Sequence, residues 1–180
     1  MAIEVAKKSH AIASDFCAEM LKLCALKITK RNIKNIYCIQ IDAENLSFKD
    51  NSFDGAIVAF GIRNVADIQK ALSEMHRVVR NGGRIVVLEF SQPQNRFFRS
   101  MYNIYFQKVL PVVGRFVSKK TGPYSYLPSS VMAFPKREEF VGLMKVSGMM
   151  DIRYYDLTFG IVTVYVGSKN VELACQSLNY

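Results

Sequence analysis

Three places in this chain of 180 residues set chemically useful side chains at the ends of apolar runs. Asp15 closes HAIASD, Asp42 closes IYCIQID, and Gly61-Ile62-Arg63-Asn64 ends the run that starts at Gly55. A carboxylate at a strand end can accept the two hydroxyls of a ribose. A small neighbour such as Ala43 leaves room beside an adenine ring. The same acids also fit plain local roles, Asp15 as a helix N-cap ahead of Phe16 and Asp42 as a turn residue. Taken singly, each acid suits the local role better; placed together at consecutive strand ends, they modestly favour a nucleoside-type ligand.

Other chemistries have less support. The four cysteines, Cys17, Cys24, Cys38 and Cys175, form no Cys-x-x-Cys pair, and the two histidines are far apart, so no metal site is expected. Free thiols suit a reducing compartment. The first residues lack the apolar core of a secretory signal, and no window approaches a membrane span. The net charge of +9, from 24 Lys and Arg against 15 Asp and Glu, calls for an anionic partner. Almost all of it comes from residues 90–137, which carry Arg96, Arg99, Lys108, Arg115, Lys119, Lys120, Lys136 and Arg137 and no acid. Aromatic residues are interleaved through the same stretch.

The elements that must position these groups follow from periodicity. At 50% hydrophobic residues the chain has the composition of a packed domain, not of a disordered tail. Residues 2–8 read as a short helix, 10–15 as a buried strand, and 16–31 as an amphipathic helix with Cys17, Met20, Leu21, Cys24 and Ile28 on one face. Residues 36–42 and 55–62 read as strands. Residues 66–80 give the clearest helix, with a stripe of Ile68, Leu72, Met75 and Val79 and with Asn81-Gly82-Gly83 as its C-terminal stop. A strand is expected at 84–90, a helix at 136–148 ending at a glycine, and an edge hairpin at 151–169 around Thr158-Phe159-Gly160. Apolar strands alternating with helices predict an α/β fold with a parallel sheet covered on both faces.

The segments DAENLSFKDNSFDGAIVAFGIRNV, RVVRNGGRIVVLEFS and FPKREEF, with LTFGIVTVYVGSK near the end, resemble the ubiquinone/menaquinone biosynthesis C-methyltransferases, which are class I enzymes. The likeness runs from about Ala2 to Lys169. It implies a Rossmann-like sheet with helices on both faces and S-adenosylmethionine as cofactor. It implies that Asp15 holds the cofactor's ribose, that Asp42 and Ala43 lie beside its adenine, and that Ala59 stands where the strand passes it. Arg63 and Asn64 fall in the loop between cofactor and acceptor, as catalytic candidates. Family members begin further upstream, with a first central strand and a Gly-rich turn, whereas this chain has no glycine before Gly55. The chain is therefore expected to be one incomplete methyltransferase domain, with flanking strands short of ladder partners and weak cofactor binding.

The implied reaction is C-methylation of a polyprenylated quinol, demethylmenaquinol or 2-polyprenyl-6-methoxy-1,4-benzoquinol. Arg63 is expected to stabilise the developing phenolate or to steer a water that takes its proton. Residues 91–137 are expected to form a basic, aromatic lid over the acceptor, with Tyr124 and Tyr126 lining its pocket and lysines meeting an anionic membrane surface. That places the protein in the cytoplasm, peripheral at the inner membrane (on the matrix side if mitochondrial), alone, as a homo-oligomer or in a quinone-biosynthesis complex. No nucleic acid and no metal are expected. Two rival readings are a catalytically impaired scaffold and a basic RNA-binding methyltransferase relative.

Overall fold

A computed structural model of the chain describes residues 1–93 and 127–169. In order, the elements are α1 (Ala2–Ala6), β1 (Ala11–Asp15), α2 (Ala18–Lys30), β2 (Ile36–Gln40), β3 (Phe53–Ala59), a 3-10 turn at Ile62–Asn64, α3 (Ile68–Val78) and β4 (Val79–Phe90). After the undescribed segment come α4 (Leu127–Ala133), α5 (Arg137–Val146), β5 (Met150–Leu157), a 3-10 turn at Thr158–Gly160 and β6 (Val162–Ser168). The α/β class and the alternation of strands and helices are as expected from the pattern.

The described strands form two sheets. β1 and β2 pair in parallel from Ala11 with Ile36 to Asp15 with Gln40. The second sheet has the order β3-β4-β6-β5, with β3 and β4 parallel and the rest antiparallel. Residues 151–169 do form the edge hairpin. Among the described residues, β1 pairs only with β2 and β3 only with β4.

The period of α3 places Ala71, Leu72, Met75 and Val78 in the core, and the Asp67 side chain caps the helix by accepting from Lys70 N at 3.0 Å. The expected glycine stop is corrected. α3 ends at Val78, and Val79 is already extended at φ −79° and ψ 137°, so Asn81-Gly82-Gly83 lies inside β4. Gly82 has φ +78°. A Cβ on Gly83 would stand 2.7 Å from Asp54 O, and both glycines bond Lys169 across the ladder. The glycines are needed for this close passage between strands, not for a helix cap.

Most of the core lies on the second sheet, where Leu72, Ile85, Val87, Phe140, Met144 and Tyr165 are buried together. The first sheet has a small cluster of Ala6, Ile28 and Ile36. The expected apolar face of α2 is only partly covered. Ile28 is buried and Cys24 packs beside it, but Met20 is 54% exposed and Cys17 is exposed as well. No helix among the described residues is long and apolar enough to cross a membrane.

Candidate active site

Parallel strands gather the candidate residues at their carboxyl ends. Asp15 is the last residue of β1, Asp42 and Ala43 follow β2, Ala59 ends β3, and Arg63 and Asn64 lie in the turn after it. Each acid is shaped by its local backbone. Asp15 Oδ1 accepts from Cys17 N at 2.9 Å, and Asp42 Oδ1 accepts from Glu44 N at 2.9 Å. Both acids are exposed. These short Asx turns aim the carboxylates outward and commit one oxygen of each. The second oxygen of each has no hydrogen bond among the described residues, so a vicinal diol or another neutral donor can approach it.

The loop behind Asp42 is fixed to α3. Glu44 Oε1 accepts from the Ala66 and Asp67 N–H groups at 2.7 and 3.1 Å. Arg77 grips Glu74 with Nε and Nη2 at 2.6 and 2.7 Å, and it also bonds the carbonyls of Leu46 and Phe48. The Arg77 guanidinium holds the Glu74 carboxyl below its ordinary range. Ala43 packs against the core, which keeps the small residue after Asp42 in place.

Arg63 is not a surface arginine. Its side chain is 5% exposed and pairs with Glu89, which is fully buried, through Nη1 and Oε1 at 2.9 Å. Nη1 also donates to Phe60 O at 2.6 Å, and Nε donates to Ser130 Oγ on α4 at 3.3 Å. The guanidinium carbon lies 5.5 Å from the centre of the Phe90 ring. Phe60 adopts φ +54°, an uncommon conformation for a bulky residue, where the chain leaves β3 for the turn. Asn64 is exposed, and its N–H bonds Gly61 O at 3.0 Å, so its described contact is a turn contact.

Glu89 was not singled out from the sequence. Its signal was present, as an acid within the apolar strand RIVVLEF, where a charge requires a partner. Oε1 also accepts from Phe90 N at 2.9 Å, and Oε2 accepts from Arg63 N at 3.4 Å. Burial pushes the Glu89 carboxyl above its ordinary range, against the pull of Phe90 N–H and Arg63. Arg137 was also missed as a site residue. Its side chain, 5% exposed, bonds Asp156, the carbonyls of Gln92 and Gly160, Ser91 and Thr163. Thr163 stands opposite Glu89 in the β4–β6 ladder, so both pairs occupy one polar belt at this end of the sheet. A cavity of about 210 Å³ opens beside it, lined by Phe90, Ser91, Val131, Phe134 and Arg137 among others. Tyr124 and Tyr126, expected in the acceptor pocket, lie outside the described residues, as does most of the 91–137 segment.

This arrangement suits a ligand that is a diol at one end and meets a cation and an aromatic wall at the other. Comparisons with known proteins give it a chemical context. Residues 1–169 match the model of the ubiE/COQ5 methyltransferase family. The ubiquinone/menaquinone biosynthesis C-methyltransferase UbiE of Citrifermentans bemidjiense is 46% identical over 174 residues, covering 94% of this chain and 74% of the relative. The demethylmenaquinone methyltransferase of Thermus thermophilus is 41% identical over 166 residues, covering 92% of this chain and 74% of that protein. In fold, the chain superposes on a SAM-dependent methyltransferase from Aquifex aeolicus with a TM-score of 0.65 at 16% identity, over 93% of this chain and 73% of that one.

Proposed function

The chain belongs to the ubiE/COQ5 methyltransferase family, and on that premise we propose that it C-methylates a polyprenylated quinol in menaquinone or ubiquinone biosynthesis. The observation that carries the reading is the 46% identity to a quinone C-methyltransferase across 94% of the chain. S-adenosylmethionine, when bound, supplies an electrophilic methyl group on sulfur. The residues present fit it, because two exposed carboxylates at successive strand ends each keep one oxygen for hydroxyl or amine donors.

In this reading Asp15 accepts from the ribose hydroxyls, while Asp42 and Ala43 flank the adenine. Ala59 keeps the end of β3 free of a bulky side chain. Arg63 acts on the acceptor. A quinol oxygen that loses its proton makes the adjacent ring carbon nucleophilic, and a cation beside that oxygen favours the charged form. Asn64 shapes the turn that holds Arg63. Residues 91–137 serve as the lid, with Tyr124 and Tyr126 against the acceptor and the basic residues against anionic lipid. The protein then works at the cytoplasmic face of the inner membrane, or its mitochondrial equivalent.

The test is methyl transfer from labelled S-adenosylmethionine to short-chain demethylmenaquinol and to the methoxybenzoquinol. One label on a ring carbon of either acceptor is expected, and Arg63→Ala should lower kcat about 10²–10³-fold with a smaller change in KM. Absence of transfer to both acceptors at saturating cofactor overturns the reading. Isothermal titration gives a separate check on the cofactor. Asp15→Ala should weaken binding by about 1–3 kcal/mol, and unchanged affinity returns Asp15 to a purely local role. Flotation with anionic vesicles should show binding that falls with salt and with charge reversal at Lys119 and Lys120.

A further inference from the structure

We propose that Glu89 is a positioning residue for methyl transfer, holding the Arg63 guanidinium in one orientation over the end of β3. The proposal rests on the reading of Arg63 given above. Both Glu89 oxygens are used at this strand end. Oε1 takes Arg63 Nη1 at 2.9 Å and Phe90 N at 2.9 Å, and Oε2 takes Arg63 N at 3.4 Å. A single side chain thus grips both the backbone and the guanidinium of the turn residue. Phe60 O and Ser130 Oγ fix two more directions, and the Phe90 ring covers one face. Nη1 and Nε are committed, while Nη2 has no hydrogen-bond partner among the described residues. Where Arg77 has Nε, Nη1 and Nη2 all bonded, the Arg63–Glu89 pair uses only part of its fork. This one fixes the plane of the guanidinium and leaves one corner for another acceptor.

The charge balance supports the same role. Among the described residues, Arg63 is the charged group paired with Glu89. Thr163, opposite on β6, is uncharged and leads on to the Arg137–Asp156 pair, while Ser130 of α4 and Ala59 and Phe60 at the end of β3 carry no charge. The buried carboxylate lets a cation sit in a nearly dry site without strong attraction for stray anions. It also keeps that cation from swinging toward solvent. Burial raises the Glu89 carboxyl, so acidification reaches it earlier than an ordinary glutamate, and its protonation releases Arg63.

The test compares Glu89→Gln, Glu89→Asp and Arg63→Lys in the full chain, by turnover and by nitrogen NMR of the arginine side chains. Glu89→Gln should lower kcat about 10- to 100-fold with KM within about twofold, since orientation matters most in the transition state. Glu89→Asp should recover part of the loss. The acid limb of the kcat profile in the parent should be absent from Glu89→Gln. The Arg63 side-chain signals, assigned by their loss in Arg63→Lys, should shift and exchange faster in Glu89→Gln. That arm needs no turnover: unchanged Arg63 signals in Glu89→Gln overturn the proposal. If Glu89→Gln fails to fold, the same comparison is made on Glu89→Asp, and parental signals with parental kcat overturn it. A slow Arg63→Lys beside a Glu89→Gln of parental kcat sinks this proposal alone. A normal Arg63→Lys sinks the reading of Arg63 itself, and the reaction role of Glu89 with it.

Discussion

The front of the molecule, α1 through β2, and the rear, β3 through β6 with α3 and α5, are made from equally apolar strands that end up in unequal surroundings. In the rear, Ile85, Val87, Phe140 and Tyr165 are fully buried. In the front, Ile12, Tyr37 and Ile39 on the strands and Leu23 and Leu26 on α2 are exposed, and among the described residues the cluster that holds the helices to the sheet has three buried members, with only partly buried residues around them. An apolar run is enough to make a strand. What makes it core is what lies over it: in the rear, α3 and α5 together cover one face of the sheet over Ile85, Val87 and Tyr165, while Ile57, Tyr155 and Leu157 in the same sheet stay exposed. Opening free energy should differ accordingly along one chain.

The strongest blow to the comparison would come from Phe140→Ala. Its ring lies 5.0 Å from Phe134 and 4.6 Å from Tyr165, so truncation should cost about 3–5 kcal/mol in urea unfolding of the rear. A loss no larger than that of a front truncation would erase the distinction. Next comes alkaline pH. The Tyr165 hydroxyl is buried without a hydrogen-bond partner among the described residues, and burial pushes it from 10.0 up to about 12. The folded state keeps that proton over a range where the unfolded chain has lost it. Stability should therefore fall as pH rises from 10 to 12, by about 2–3 kcal/mol, and Tyr165→Phe should remove this slope.

Smaller effects sharpen the contrast. Ile28→Ala should cost at most about 2 kcal/mol, at the low end for buried truncations, because few neighbours surround the hole. Hydrogen exchange should speed up in α1, β1, α2 and β2 and stay unchanged in β4 and β6. Asp67→Ala removes the cap of α3 and should cost about 1 kcal/mol, read as a lower denaturation midpoint with unchanged slope. A front-wide change in exchange from Asp67→Ala would show that the two regions open together.

Much of this was legible in the residue pattern, and the misses share a cause. The stripe of α3, the strand at 84–90 and the hairpin around Thr158-Phe159-Gly160 are local signals, and each formed. The Gly82-Gly83 pair looks like a helix stop from its neighbours alone. Its job was set by Asp54 and Lys169, 28 or more residues away, which sequence spacing does not bring together. Likewise the period of α2 gives its apolar face but not what covers it. At the site, Asp15, Asp42 and Arg63 were legible as reactive types at strand ends. Glu89 was not, because an acid in an apolar run acquires meaning only from a partner 26 residues upstream. Tyr124 and Tyr126 lie outside the described residues.

The Arg63–Glu89 pair also limits the routes by which this sequence can drift. Replacing either residue alone leaves the other charged in a nearly dry pocket, a loss of about 3–5 kcal/mol. Domains of this size hold only about 5–15 kcal/mol in total, so such an intermediate is close to unfolding. Replacing both with apolar residues of similar volume would be tolerable for the fold, yet that double change lies beyond a valley that single mutations must cross. The two positions are therefore expected to change together or not at all in descendants of this chain, even in a lineage that no longer needs the reaction.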